Sequence, residues 1–115
     1  MLGLFGEKVA KEYLEKDGYI IYEENFSCPQ GEIDIIAREG NVLVFVEVRT
    51  RRSLSFGEPF ESVNRFKQKR IVKLAQIYLL YKNIGNCNVR FDVVSVLVNE
   101  NWKVEEIKLI KNAFC

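Results

Sequence analysis

The chain has 115 residues, of which 48% are hydrophobic and 29% are charged, and its formal net charge is +1. These values are typical of one globular domain with a substantial core and exclude a disordered chain, so we expect a single domain spanning residues 1–115. The sequence has no histidine, which excludes Ser-His-Asp and Cys-His nucleophile systems and leaves carboxylates, Lys, Arg, Tyr or a carboxylate-bound metal for any chemistry.

The first half of the chain predicts one helix and three strands. Apolar residues at helical spacing, followed by Gly18, predict a helix over about residues 4–17. The segment "YIIYEENF" (19–26) is rich in β-branched and aromatic residues and predicts a strand, and two further strands flank "REGN" (38–41). The segment "TRRSLSFGEPFES" (50–62) contains Gly, Pro and Ser without a period and predicts a loop.

The second half predicts a long helix and a hairpin. The helix should span about residues 63–82, with a stripe formed by Ile71, Leu74, Ala75, Tyr78 and Leu79. The segments "VRFDVVSVLV" and "WKVEEIKLI" predict two strands joined around residues 99–101. The order α-β-β-β-α-β-β predicts an α/β fold with one mixed β-sheet flanked by helices.

Cysteine use and hydropathy indicate a cellular compartment. The three cysteines have no CxxC spacing, which argues against a disulfide framework or a zinc cage. No apolar N-terminal run follows a basic start, and no stretch approaches the roughly 18 apolar residues that span a bilayer. We therefore expect a reduced, cytoplasmic protein without a membrane segment.

Two acidic residues stand in the otherwise apolar strands of the hairpin predicted around residues 38–41. A two-residue turn at Gly40–Asn41 would set Asp34 directly opposite Glu47. Strict alternation then predicts that Ile33 and Ile35 share the wholly apolar face, while both acids lie on the opposite face.

Opposed carboxylates require a positive partner or a shared proton. Opposed β-carbons lie about 4.5–5.5 Å apart, and like charges at that distance are destabilising. Mg²⁺ prefers oxygen ligands and binds one or two carboxylates together with waters and phosphates. Asp34 and Glu47 are therefore interpreted as the two carboxylate ligands of a Mg²⁺ (or Mn²⁺) site. The alternative is an ion-pair network with Arg49, Arg51 or Lys67 on a solvated edge.

The pattern around Asp34 and Glu47 resembles that of a known protein superfamily. An acid followed by Glu-x-Lys on consecutive strands is the signature of the PD-(D/E)xK nuclease superfamily, which this sequence resembles through Asp34 and Glu47. The blocks "GEIDIIA", "FVEVRTR", "FGEP" and "RFDVV", in this order, are similar to the YraN-like family of small bacterial endonuclease-like proteins over essentially the whole chain. The resemblance implies a restriction-endonuclease-like fold, like that of Holliday junction resolvases. The superfamily's lysine position holds Arg49, which stays charged and cannot act as a base but could neutralise phosphate charge.

Glu7 is a further candidate. It lies in the first turn of the predicted first helix, where a carboxylate interacts favourably with the helix dipole. The resemblance, through "FGE", implies instead that Glu7 approaches the two acids as a third metal ligand.

Basic residues cluster in the middle third of the chain. Arg51 and Arg52 follow Arg49 along the strand, and Lys67, Lys69 and Arg70 belong to the early turns of the second helix. Together they predict a surface that binds a phosphate backbone. The alternative is an ordinary solvated face, with Lys67 extending over the edge of the core.

Other notable side chains have structural interpretations. Asp92, within "VRFDVV", is expected to form a salt bridge with Arg90 or Arg49. Tyr78 and Trp102 are interpreted as core or interface residues.

The leading hypothesis is a Mg²⁺-dependent phosphodiesterase acting on DNA, with branched or unpaired structures as candidate substrates. Asp34 and Glu47 would bind the metal, Arg49 would stabilise phosphate charge, and Glu7 would assist. Two alternatives stay open: a non-catalytic nucleic-acid-binding module that keeps the fold, and a dimeric scaffold, since resolvase-like folds act as twofold homodimers.

Overall fold

The computed structural model describes residues 2–52 and 64–114 of the chain. Its elements are α1 (Leu2–Lys16), β1 (Ile20–Cys28), β2 (Gly31–Glu39), β3 (Val42–Arg52), α2 (Arg65–Tyr81), β4 (Asn88–Val98) and β5 (Val104–Phe114). The predicted order of helix, three strands, helix and two strands is confirmed. Residues 50–52 extend β3 instead of forming a loop, because their backbone pairs with β4 through Arg52. The rest of the predicted loop, with "FGEP" and the predicted start of the second helix, lies outside the described residues.

The five strands of the described residues form one mixed sheet in the order β1-β2-β3-β4-β5. Neighbouring strands are antiparallel except β3 and β4, which are parallel. A parallel connection needs a crossover, and α2 lies in the segment of chain that makes it. The predicted mixed sheet flanked by helices is therefore confirmed.

The first helix covers one face of the sheet. Gly6, Ala10 and Leu14 are buried along α1 at intervals of four residues, which places them on one side of the helix. Ala10 and Leu14 join a core cluster with sheet residues such as Val44 and Val94. Leu2, Phe5 and Val9 pack against the same cluster, so α1 is held on the sheet by a continuous apolar stripe.

The second helix belongs to the other core cluster. The side chain of Asn64 accepts a hydrogen bond from the backbone N–H of Lys67 at 2.9 Å and so caps the N-terminus of α2. Its buried residues are Ile71, Leu74, Ala75 and Tyr78. Four members of the predicted stripe are therefore core residues.

The hairpin of β2 and β3 has the predicted register, but only near its turn. Gly40 has a φ of 61°, as the predicted turn requires. The paired positions run from the turn to Ile35 opposite Val46. The prediction that Asp34 directly opposes Glu47 is wrong, because the described ladder has no pair beyond that point.

The predicted face of Ile33 is also wrong. Ile33 packs in the cluster of α2 with Phe26, its partner on β1, whereas Ile35 packs in the cluster of α1. The neighbouring strand explains the change of face, because Asn25 of β1 has a φ of 54° and interrupts the regular alternation there.

Asp92 forms the expected structural salt bridge. Its side chain is fully buried and accepts hydrogen bonds from Arg90 at 2.9 Å and from the hydroxyl of Tyr19 at 2.8 Å. The backbone N–H of Asn112 donates a further bond at 3.0 Å, and Arg90 also contacts Glu39 at 2.6 Å. The predicted pairing with Arg90 is confirmed. Through Tyr19, Glu39 and Asn112, this network links β4 to the residue before β1 and to the ends of β2 and β5.

The described helices are too short or too polar to cross a lipid bilayer.

Candidate active site

An open pocket of about 350 Å³ lies at the end of the sheet where both helices begin. Ten of the described residues line it: Leu2, Gly3, Glu7, Glu32, Asp34, Glu47, Val48, Thr50, Lys67 and Arg70. They come from α1, β2, β3 and α2. The predicted site residues Glu7, Asp34, Glu47, Lys67 and Arg70 are therefore brought together.

Asp34 occupies the place where the pairing between β2 and β3 stops. Its Oδ2 accepts a hydrogen bond of 2.8 Å from the backbone N–H of Val48. The side chain thus replaces a strand-to-strand backbone bond and fixes the carboxylate at the edge of the pocket.

Glu47 is the most buried of the pocket's carboxylates, with a relative exposure of 6%. Its Oε2 lies 2.7 Å from Nζ of Lys67, whose side chain is 43% exposed. A buried carboxylate needs a positive partner, and the crossover helix supplies it. The ion pair considered as an alternative from the sequence is present, between Glu47 and Lys67.

Glu7 lines the same pocket from α1. The prediction that it lies in the first turn is wrong, because α1 begins at Leu2 and its first turn has no acidic residue. The close approach of α1 to β3 at Gly6 determines where Glu7 lies. A β-carbon at Gly6 would overlap the side chain of Thr50 on β3. Only glycine lets α1 come near enough to bring Glu7 into the pocket.

The pocket disfavours the ionised form of Asp34. Burial raises the pKa of this carboxyl from 3.8 to about 7. The hydrogen bond from Val48 opposes this rise, and the negative charges of Glu47, Glu7 and Glu32 are smaller contributions to the same value. Such a shift at a clustered carboxylate is typical of functional sites.

The pKa of Glu7 is also raised. Burial raises the pKa of its carboxyl, a side-chain hydrogen bond with Asn25 opposes the rise, and the charges of Glu32, Glu24 and Glu47 add to it. Burial and the neighbouring carboxylates therefore disfavour the ionised forms of both Asp34 and Glu7.

The carboxylates do not form a complete protein cage for a metal. Across residues 2–52 and 64–114, no group of three or more Asp, Glu, Cys and His side chains is arranged to hold an ion. Asp34 and Glu47 supply two carboxylates at one pocket, which is the number that a magnesium site with several waters uses. The role of Glu7 as a third ligand stays a prediction.

The predicted basic residues divide between the pocket and its surroundings. Lys67 and Arg70 line the pocket. Arg49 lies opposite Ser95 in the pairing of β3 with β4 and is not one of the described lining residues. Lys69 is exposed on α2.

The continuation of β3 carries the other two predicted basic residues. Arg51 lies opposite Leu97 of β4. The guanidinium carbon of Arg52 lies 4.9 Å from the centre of the Trp102 ring. Trp102 is 40% exposed, so it is not a core residue as one of its two predicted roles would require.

The sequence interpretation missed two groups that act on Asp34. Glu32 lines the pocket although it was not among the predicted site residues. The backbone N–H of Val48 holds Asp34. Glu32 could have been inferred from its position two residues before Asp34, whereas a backbone donor leaves no mark in a sequence.

The chain matches the family model described as "Uncharacterised protein family UPF0102" over residues 6–96. It is similar to a UPF0102 protein of Caldicellulosiruptor saccharolyticus, with 50% identity over 113 residues, covering 98% of this chain and 96% of the relative. UPF0102 proteins of Clostridium botulinum and Caldanaerobacter subterraneus are 49% and 48% identical over 114 residues, each covering 98% of this chain and 93% of the relative.

Proposed function

The chain belongs to the UPF0102 family, and we propose that it is a metal-dependent endonuclease that hydrolyses phosphodiester bonds in DNA, at branched or otherwise structured sites. One observation carries the proposal. Asp34 and Glu47 share an open pocket in which the pKa of Asp34 is raised to about 7. Clustered carboxylates that repel one another in a solvent-accessible pocket suit a divalent cation.

The donor chemistry fits Mg²⁺ or Mn²⁺. Asp34 and Glu47 offer oxygen ligands, and Glu7 and Glu32 add negative charge nearby. The sequence offers no histidine that would favour a softer metal. When bound, such an ion would polarise a phosphodiester and lower the pKa of a water molecule.

The residues of the pocket have distinct roles in this proposal. The N–H of Val48 orients Asp34 through its 2.8 Å hydrogen bond to Oδ2, so Oδ1 takes no part in that contact. Lys67 neutralises Glu47, and its half-exposed side chain can carry the ammonium to a bound phosphate. Arg70 at the rim adds a second phosphate contact.

The resemblance to the PD-(D/E)xK superfamily and to YraN-like proteins supports the same reaction. In that pattern Asp34 and Glu47 are the two acids, and the lysine position is Arg49. Arginine keeps its proton, so Arg49 would stabilise phosphate charge and would not activate water. The lysine that contacts the second acid in this chain comes from α2, as Lys67.

One observation favours the alternative of a non-catalytic nucleic-acid-binding module. Glu47 already has a positive partner at 2.7 Å, so the pocket is not obliged to take a cation for Glu47. With Arg49 in place of a lysine, the same fold could bind DNA through its basic residues and leave it intact.

Gel assays with purified protein test the proposal. Four-way junctions, flaps and duplex DNA should be incubated with Mg²⁺, with Mn²⁺ and with EDTA. The wild type should cut structured DNA only with metal, and Asp34→Asn and Glu47→Gln should abolish cutting. Glu105→Gln is the matched control, because Glu105 is an exposed acid on β5 outside the pocket. Tight junction binding without any cutting under either metal would reject the enzyme and favour the binding module.

A further inference from the structure

Two exposed aromatic side chains each have an arginine over the ring. Phe66 is 71% exposed, and the guanidinium carbon of Arg70 lies 5.1 Å from its ring centre. Trp102 is 40% exposed, and the guanidinium carbon of Arg52 lies 4.9 Å from its ring centre. Each pair therefore combines a flat apolar surface with a fixed positive charge.

The Phe66–Arg70 pair adjoins the acidic pocket, and the Trp102–Arg52 pair lies further along β3. On α2, Phe66 directly precedes Lys67, and Arg70 lines the pocket. On β3, Arg52 follows the lining residue Thr50 by two positions. At about 3.3 Å per strand residue, Arg52 lies about 16 Å along β3 from the level of Glu47. A ligand that extends over several nucleotides can span this distance.

The turn between β4 and β5 holds Trp102 in an uncommon backbone conformation. Its φ is 62°, a value that bulky residues rarely adopt. The side chain of Asn99 accepts hydrogen bonds from the N–H groups of Asn101 and Lys103, at 2.8 and 3.0 Å. The ring of Phe5 on α1 meets the Trp102 ring edge-on, with centres 5.3 Å apart. The indole is thus fixed in place while part of it stays exposed.

We propose that these two pairs bind an unpaired DNA strand that passes over the acidic pocket. Bases stack on Phe66 and Trp102, and phosphates contact Arg70 and Arg52. The inference rests on the proposed function in taking DNA as the ligand, and it adds that the recognised strand is single on both sides of the pocket. An unpaired strand can offer base faces to aromatic side chains, whereas a duplex keeps them stacked inside the helix.

Charge supports this ligand over an uncharged one. The carboxylates of Asp34, Glu47 and Glu7 repel phosphates, so a nucleic acid needs positive charge on both flanks to cross the pocket. The two guanidinium groups supply that charge at the two aromatic rings, where it serves phosphate binding and base stacking together.

Trp102 is the single tryptophan of the chain, so the fluorescence of the wild-type protein reports on it directly. The titration uses oligothymidine or a duplex of equal length, at low salt and with EDTA, so that no cleavage occurs. Oligothymidine should quench the fluorescence and bind more tightly than the duplex. Unchanged fluorescence with oligothymidine would overturn the proposal.

A matched pair of variants on α2 tests the other flank. Phe66→Ala should weaken oligothymidine binding by about five- to a hundred-fold, the range for losing one stacked base. Tyr81→Ala should leave the affinity unchanged. Tyr81 is 72% exposed and has Nζ of Lys82 at 5.4 Å from its ring centre, but it lies at the far end of the same helix. Equal losses in the two variants, or none in Phe66→Ala, would contradict the proposal.

These results are distinguishable from a failure of the proposed function. Quenching by oligothymidine without any cleavage under Mg²⁺ would reject the nuclease and keep the single-strand site. Metal-dependent cleavage with no quenching would keep the nuclease and reject the single-strand site.

Discussion

Lys67 of α2 reaches across to β3 and places its ammonium 2.7 Å from the carboxylate of Glu47. The two side chains differ in environment, since that of Glu47 is 8% exposed and that of Lys67 is 43% exposed. The pair therefore neutralises a buried charge with a group that keeps access to solvent, and it joins the crossover helix to the strand beneath it.

Lys67→Met should lower the free energy of unfolding by about 1–2 kcal/mol, less than the loss for a fully buried pair because Lys67 is half exposed. The physical reason is that Glu47 then stays buried without a positive partner. Adding Glu47→Gln to Lys67→Met should recover most of the loss, because the amide carries no charge. Urea unfolding of the single and double variants measures this coupling. Strictly additive effects would mean that the ion pair contributes nothing to stability.

Asp34 should make the protein less stable as the pH rises. Burial raises its pKa in the folded state from 3.8 to about 7, so the folded protein holds the proton more tightly than the unfolded chain. This stabilisation is complete below about pH 4 and is lost as the pH rises through about 7. Asp34→Asn should therefore raise the free energy of unfolding by roughly 1–2 kcal/mol at about pH 8 and change it little at about pH 4.

The asparagine carbonyl can still accept the hydrogen bond from Val48, so this variant keeps the local contact and removes only the charge. Urea titrations at both pH values, with Glu105→Gln as the control, give the comparison. A loss of stability at both pH values would show that the carboxylate is needed for packing and that its charge is not destabilising.

The pocket's acidity also sets how a metal should bind. A ligand carboxylate must lose its proton, so Mg²⁺ binding should release about one proton at about pH 6 and almost none at about pH 8.5. The proton comes from Asp34, whose pKa is about 7. Calorimetry in buffers of different ionisation enthalpy counts the released protons. Binding to Asp34→Asn that still released a proton would assign the titration to another group.

Arg49 gives a prediction about rate. Arg49→Lys should keep or raise Mg²⁺-dependent cleavage of branched DNA, because lysine retains the charge and can also orient water. Arg49→Ala should lose cleavage, because no charge remains at that position. The gel assay of junctions and flaps reports both variants. An active Arg49→Ala would show that Lys67 and Arg70 provide enough positive charge at the pocket.

The element order and the turn at Gly40 could be predicted because each depends on local patterns. Helical spacing identified both helices, and a glycine with positive φ marked the hairpin. The sequence pattern failed at Ile33, because its face depends on Phe26 and on the irregular backbone at Asn25 of the neighbouring strand. Such a change comes from tertiary pairing, which one strand's own alternation does not contain.

The candidate site likewise has features that local sequence patterns predict and features that depend on tertiary packing. Asp34 and Glu47 were found because charges in apolar strands are conspicuous in a sequence. The partner of each was harder to predict. The donor to Asp34 is the backbone of Val48, and the partner of Glu47 is a lysine about twenty residues further along the chain. Lys67 was one of three basic candidates, and only the docking of α2 selects it.

The parallel pairing of β3 with β4 sets an order of assembly. Glu7, Asp34 and Glu47 come from elements that follow one another up to β3, whereas Lys67 arrives with the crossover to β4. Contacts across longer loops form later, and the loop between Asp34 and Glu47 is shorter than the one between Glu47 and Lys67. We therefore expect these two carboxylates to meet before Lys67 reaches Glu47. Mutual repulsion should then slow refolding at about pH 8 relative to about pH 5, and Asp34→Asn should remove most of that difference in stopped-flow experiments. The charge that suits this pocket to a cation would in this way retard the folding that creates it.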